Sequence, residues 1–176
     1  MNHNKDAVTK IFYELKEKEC IEANRKILEL ENYPTFHAGI CKIHYNRKMN
    51  ELDENSIRIS LLHEEGHIRL LYRTILFLIF LLGFFVLLVL SNLNPIFKIL
   101  ISIIVGLISS IVFLQIEEYD SDKFAAMTLR DIYGIPQPSK ILEKTLEKTP
   151  HEGLSAYTHP SAHKRVKNII DNVDRK

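Results

Sequence analysis

The sequence predicts a mainly α-helical fold with a small β element and a two-helix transmembrane hairpin in its middle. Three observations carry this. Residues 75–90 (ILFLIFLLGFFVLLVL) contain no polar side chain, and residues 99–116 are broken only by Ser102, Ser109, Ser110 and Gln115. A turn signal, Ser91-Asn92-Leu93-Asn94-Pro95, separates them. Outside these runs, apolar residues recur mostly at helical spacing, and only residues 35–46 are β-branched and aromatic in character.

Taken in order, residues 5–31 read as one amphipathic helix. Val8, Ile11, Phe12, Leu15, Ala23, Ile27 and Leu30 share its apolar face, and Pro34 ends the region. Residues 35–46 (TFHAGICKIHYN) read as a strand. Asp53, Glu54, Asn55 and Ser56 are helix-start residues. The helix they open carries Ile57, Ile59, Leu61 and Leu62 and is expected to continue into the first span. With Leu70, Leu71 and Tyr72 added, that span reaches the roughly 20 residues a bilayer requires. A soluble domain of this size has too little other apolar surface to enclose two such helices. Gly83, Gly106, Ser109 and Ser110 are expected to let the spans approach closely. The second span runs on in helical pattern through Phe124, Ala125, Ala126, Leu129 and Ile132, and Gly134 closes it. Residues 139–148 form a short helix and residues 149–160 a loop. Ser161 caps a last helix with Val166, Ile169 and Ile170 inward.

The chain has 176 residues and reads as a single membrane-embedded domain, 1–176. Within it, residues 1–69 supply the N-terminal helix, the strand and a motif helix. Residues 70–116 form the hairpin, and residues 117–176 the remaining helices. The net charge is +1, without the basic stripe that nucleic acid requires. A mean hydropathy of -0.04 averages charged ends with an apolar middle. The start, MNHNKDAVTK, has no apolar stretch, so the first span is expected to act as an uncleaved insertion signal. Arg69 and Arg73 precede span one, Lys123 and Arg130 follow span two, and the tip offers only Lys98. The positive-inside rule then expects both termini in the cytoplasm. Cys20 and Cys41 lack metal-type spacing and are expected to be reduced thiols there.

His63-Glu64-Glu65-Gly66-His67 is an HExxH string. Two imidazoles four residues apart lie on one helix face. Both can reach one tetrahedral zinc, with Glu64 beside its open position. The plain alternative is a solvated helix face. A catalytic zinc takes a third protein ligand, and Glu118 is the preferred candidate, with Glu117 the alternative. Asp122, four residues after Glu118, shares its helix face and can hydrogen-bond the outer nitrogen of a zinc histidine, expected to be His63. His67 lies about 12 Å of helical rise before residue 75. Glu118 lies half a turn after residue 116, and two spans return the chain to its starting side. The string and Glu118 are therefore expected on one membrane face at similar depth.

HEEGH, a hairpin and then EYDSD followed by Lys123-Phe124-Ala125 resemble the HtpX-like and CAAX prenyl endopeptidase family of integral-membrane zinc metallopeptidases, which are gluzincins. That family pairs HExxH with an E-x-x-A-D-x-x-A pattern, and here Ser121 stands where alanine is usual. It also has a late H-P element followed by arginine; this chain has Thr158-His159-Pro160-Ser161 and then Arg165. The likeness covers residues 33–169. It implies a zincin-like catalytic domain interrupted by the hairpin. It also implies that His159 faces the site and steadies an oxyanion, and that Arg165 braces the acidic cluster.

The expected function is a membrane-bound zinc-dependent endopeptidase hydrolysing peptide or protein substrates at the cytoplasmic face. His63, His67 and Glu118 would hold one Zn2+ per chain, with Glu64 as general base. The strand around residues 39–45 is offered for substrate backbone by strand addition. The chain has two spans where HtpX-like proteins have more, so a second copy or a partner chain is a candidate to complete the cleft. The alternative is a non-catalytic zinc-binding membrane adaptor or sensor that keeps the fold. An intramembrane protease would bury its HExxH in an apolar helix, whereas Arg69 and Arg73 follow this one.

Overall fold

A computed structural model describes residues 6–31, 35–149 and 159–175. Its elements are α1 (Ala7–Glu17), β1 (Lys26–Glu29), β2 (His37–Gly39), β3 (Lys42–Tyr45), a 3-10 turn (Arg47–Glu51), α2 (Glu54–Leu90), α3 (Pro95–Tyr133), α4 (Pro138–Lys148) and α5 (Ala162–Ile169), which continues into a π turn (Ile170–Asp174). The chain is mainly helical with one small sheet, as its periodicities predict. Pro34 and residues 150–158, the bulk of the expected loop, lie outside the described residues.

The N-terminal helix is shorter than its periodicity suggests. It stops at Glu17, and Glu19 takes a left-handed conformation (φ 58°). The Glu19 N–H then donates to Lys16 O and the Cys20 N–H to Leu15 O, at 3.0 and 2.9 Å. These two bonds form a Schellman stop. Ala23, Ile27 and Leu30 therefore leave the helix, and residues 26–29 become β1. The expected single strand is likewise a hairpin. Ile40 and Cys41 turn the chain between β2 and β3, with Cys41 at φ 58°. The sheet order is β1-β3-β2, with β3 parallel to β1 and antiparallel to β2.

The long helices start and stop where the sequence says. The Asp53 carboxylate caps α2 by accepting from the Ser56 N–H, and α2 runs unbroken from the motif into the first span. Asn94 caps α3, with Pro95 in its first turn. Gly134, at φ 65°, ends α3. At about 1.5 Å per residue, each long helix extends over about 55 Å. Their near halves enter a core with α1, β3, α4 and α5. Phe12, Leu15, Ile43, Ile57, Leu61, Leu62, Leu129 and Ile169 are fully or nearly fully buried there. Their far halves pair with each other, with Phe77 stacked on Phe113 at 4.3 Å between ring centroids.

Both helices are long and apolar enough to cross a membrane. Their apolar side chains are exposed, Phe80 at 70 % and Val89 at 69 %, so they do not form the buried core of a soluble domain. The expected small-residue seam between them is only partly present. A side chain on Gly83 would meet nothing within 4 Å, so Gly83 faces away from its neighbour. A Cβ on Gly106 would meet Phe85 Cζ at 3.7 Å.

Nothing lies within 4 Å of the Cβ position at Gly134, so its positive φ is the sole demand for glycine there. Gly134→Ala is expected to lower stability by about 1 kcal/mol, the cost of a left-handed L-residue. Chemical denaturation in detergent checks this; an unchanged midpoint would contradict it.

Candidate metal centre

Helical spacing puts His63 and His67 one above the other on α2. Their rings are 4.6 Å apart and nearly perpendicular, and their Nε2 atoms lie 3.0 Å apart. α3 brings Glu118 to the same point. Its Oε1 is 3.2 Å from His67 Nε2, and its Oε2 is 3.6 Å from His63 Nε2. The three donor atoms lie within 4.8 Å of one another, and the cluster could hold a metal ion.

The donors fit such an ion. Bonds of 2.0–2.1 Å in tetrahedral geometry hold ligand atoms about 3.3 Å apart, the spacing found here. Two imidazole nitrogens and a carboxylate oxygen suit a borderline divalent cation. Glu118 Oε2 also has no hydrogen-bond donor among the described residues, although it is buried. Arg165 Nη1 lies 3.1 Å from it but off the hydrogen-bond direction. A buried acceptor left open in this way is suited to a cation.

Behind these donors lies a fully buried carboxylate. Asp122 Oδ1 is 2.9 Å from His63 Nδ1, which orients that ring and leaves Nε2 facing the cluster. Arg165, from α5, donates to both Asp122 oxygens, Nε to Oδ2 at 2.7 Å and Nη2 to Oδ1 at 2.6 Å. Burial alone would raise both acids' pKa. For Glu118, the charge of His63, hydrogen bonds from His159 and His67 and the charge of Arg165 outweigh it and hold the carboxyl far below the usual range. For Asp122, Arg165 and His63 do the same. Burial opposes the charged form of His67, but Glu118, Glu64 and Glu117 outweigh it and raise that pKa.

The remaining expected residues also converge. His159 Nε2 lies 3.2 Å from Glu118 Oε1, so its ring points into the cluster. Glu64 is half-buried on the motif helix, and no described side chain hydrogen-bonds its carboxylate. Glu117, the alternative ligand, is turned away and accepts from Thr74 Oγ1 at 2.6 Å.

Sequence reasoning missed three features. Glu65 is not on a solvated face; it is fully buried, accepting from Arg25 Nε and Arg69 Nε, both at 2.9 Å. A carboxylate beside Glu64 on a polar helix face carries no local signal of that burial. Gly66 is the site's close-approach residue: a Cβ there would lie 2.9 Å from Ser121 Cα. The paired small residues in HEEGH and EYDSD were the available signal. The strand offered for substrate is also wrong in one respect. β3 is central and paired on both sides, so residues 42–45 have no free edge; within residues 39–45 only Gly39 belongs to an edge strand.

Comparison with family models, curated proteins and solved structures gives no match.

The contact of Gly66 with Ser121 is with backbone, which cannot swing aside. Gly66→Ala is therefore expected to spread α2 from α3 and weaken any metal binding at the cluster by at least about ten-fold, since one ångström matters in such a site. Ser121→Gly should restore part of the loss. Zinc titration of the purified chain reads both, and unaltered affinity in Gly66→Ala would refute the seam.

Proposed function

We propose that this chain is a membrane-bound zinc-dependent endopeptidase that hydrolyses peptide bonds at the membrane face. The observation that carries this reading is the convergence of His63, His67 and Glu118 from two helices, with Glu64 beside them. A zincin-like domain interrupted by a hairpin is the fold reading that goes with it. The motif helix packing against a small sheet supports that reading.

When bound, zinc supplies Lewis acidity, bringing the pKa of water toward ~7 and polarising a carbonyl. The chain's own residues do the rest. Glu64 takes the proton of the attacking water and later gives it to the leaving amine. Its carboxylate has no hydrogen-bond partner among the described residues. His159, already aimed at the cluster, donates to the oxyanion that develops on the scissile carbonyl. Asp122 keeps the His63 proton on Nδ1, and Arg165 sets its single positive charge against the two buried acids. Glu118 emerges beside the motif because the hairpin returns the chain to its starting side.

The basic flanks Arg69, Arg73, Lys123 and Arg130 support a site and both termini on the cytoplasmic face. A cleft completed by a second copy or a partner chain belongs to the same reading.

Glu64→Gln is expected to keep zinc and lose cleavage of a casein or peptide substrate by about 10²–10⁴-fold. Cleavage at the unmodified rate would remove Glu64 from the mechanism. Glu118→Ala should lose its zinc, as measured by elemental analysis. A full complement of metal in that variant would point to a different ligand set.

A further inference from the structure

The sheet has one end directed along α2 toward the apolar spans. Tyr45, at its far end, leads through the turn Arg47–Glu51 into the start of α2. The near end lies beside Glu65. There the Arg25 guanidinium bonds Glu65, the Lys26 N–H donates to Cys41 O at 3.1 Å, and Arg25 Nη1 lies 4.0 Å from Cys41 Sγ. The β2–β3 turn is therefore level with Glu65, about 9 Å of helical rise from Leu71. From Leu71, α2 shows mostly exposed apolar side chains to its end, about 30 Å later, the thickness of a hydrocarbon core, with Arg73 and Thr74 the polar exceptions near its start. The turn thus lies at the depth of a headgroup layer.

Its chemistry suits that layer. Ile40, at the tip, is 78 % exposed, the most exposed large hydrophobic side chain among the described residues. Lys26 and Lys42 stand directly opposite each other in register, both exposed, and neither forms an ion pair among the described residues. Like charges opposite one another destabilise a sheet unless something of opposite sign meets them. An apolar tip beside two lysines, at the end of the sheet nearer the apolar half of α2, matches an anionic bilayer surface.

We propose that the β2–β3 turn docks into the headgroup layer of an anionic bilayer, inserting Ile40 and placing Lys26 and Lys42 on lipid phosphates. This rests on the reading that α2 and α3 cross that bilayer. The docked turn would fix the tilt of the sheet and motif helix against the membrane. It would thereby set the height at which a membrane-bound substrate meets the site.

The chain has no tryptophan, so single tryptophans report depth directly. Full-length Ile40→Trp, Phe80→Trp and Glu51→Trp would be reconstituted in vesicles of equal parts phosphatidylcholine and phosphatidylserine. Lipids brominated near the headgroup or near the chain ends serve as quenchers. Ile40→Trp is expected to emit to the blue and be quenched by the shallow bromines, and Phe80→Trp by the deep ones. Glu51→Trp, just before the start of α2 and about 16 Å of helical rise further from the spans than Glu65, should be quenched by neither. Adding Lys26→Glu and Lys42→Glu to Ile40→Trp should remove more than half of its quenching. An unquenched Ile40→Trp beside a quenched Phe80→Trp overturns the docking alone, and so does quenching that survives the lysine reversals. Blue emission without bromine quenching would assign the tip to a protein contact and also overturn it. An unquenched Phe80→Trp overturns the membrane-crossing reading and the docking with it.

Discussion

The arrangement depends on two carboxylates one helical turn apart, Glu118 and Asp122, held almost out of water beside two imidazoles. Uncompensated charges in such a place cost several kcal/mol each. Arg165 compensates them, gripping Asp122 through two nitrogens and lying against Glu118. It comes from the last helix, so the C-terminal segment is part of the site. Asp122 in turn holds His63, so one chain of contacts runs from α5 through α3 to the motif on α2. What this network leaves open is Glu118 Oε2, 3.6 Å from His63 Nε2, while Oε1 meets His67 and His159. Ser121 Oγ nearby is likewise buried without a hydrogen-bond partner among the described residues, so the site is preorganised for a cation through its charged groups and imidazoles.

The second constraint is distance between helices. α2 and α3 must approach closely for a short Glu side chain to reach both imidazoles, and Gly66 against Ser121 permits it. A short way along the helices, toward the apolar halves, Thr74 bonds Glu117 and Arg73 pairs with Asp120. These polar contacts hold the pair in register where the apolar halves begin. On the other side of the motif helix, the buried Glu65 ties α2 to Arg25 at the entrance to β1. The motif's four polar side chains thus have separate tasks. His63 and His67 face the cluster, Glu65 faces the sheet, and Glu64 has no hydrogen-bond partner among the described residues.

Much of this was legible in the chain. The helix limits at Asp53, Asn94, Gly134 and Ser161 follow from capping chemistry, which is local. The choice of Glu118 over Glu117 followed from the i, i+4 relation to Asp122. The two misplaced elements, the overlong first helix and the unturned strand, have a common cause. Glu19 and Cys41 are the two non-glycine residues with positive φ among the described residues. One ends α1 and the other turns the β hairpin. Neither position carries the Gly or Asn that would announce a left-handed residue. An overlong helix and an unturned strand resulted.

By itself, the sequence determined what local spacing and hydrophobic length can determine: two paired histidines, a carboxylate pair one turn apart, and two apolar helices joined by a capped turn. Whether those pieces meet was decided by tertiary structure. Burial of Glu65, the fit of Gly66 against Ser121 and the reach of Arg165 to two acids arise only when helices distant in sequence pack. Such contacts depend on sub-ångström approach and on exclusion of water, and neither is written in the periodicity of any single segment.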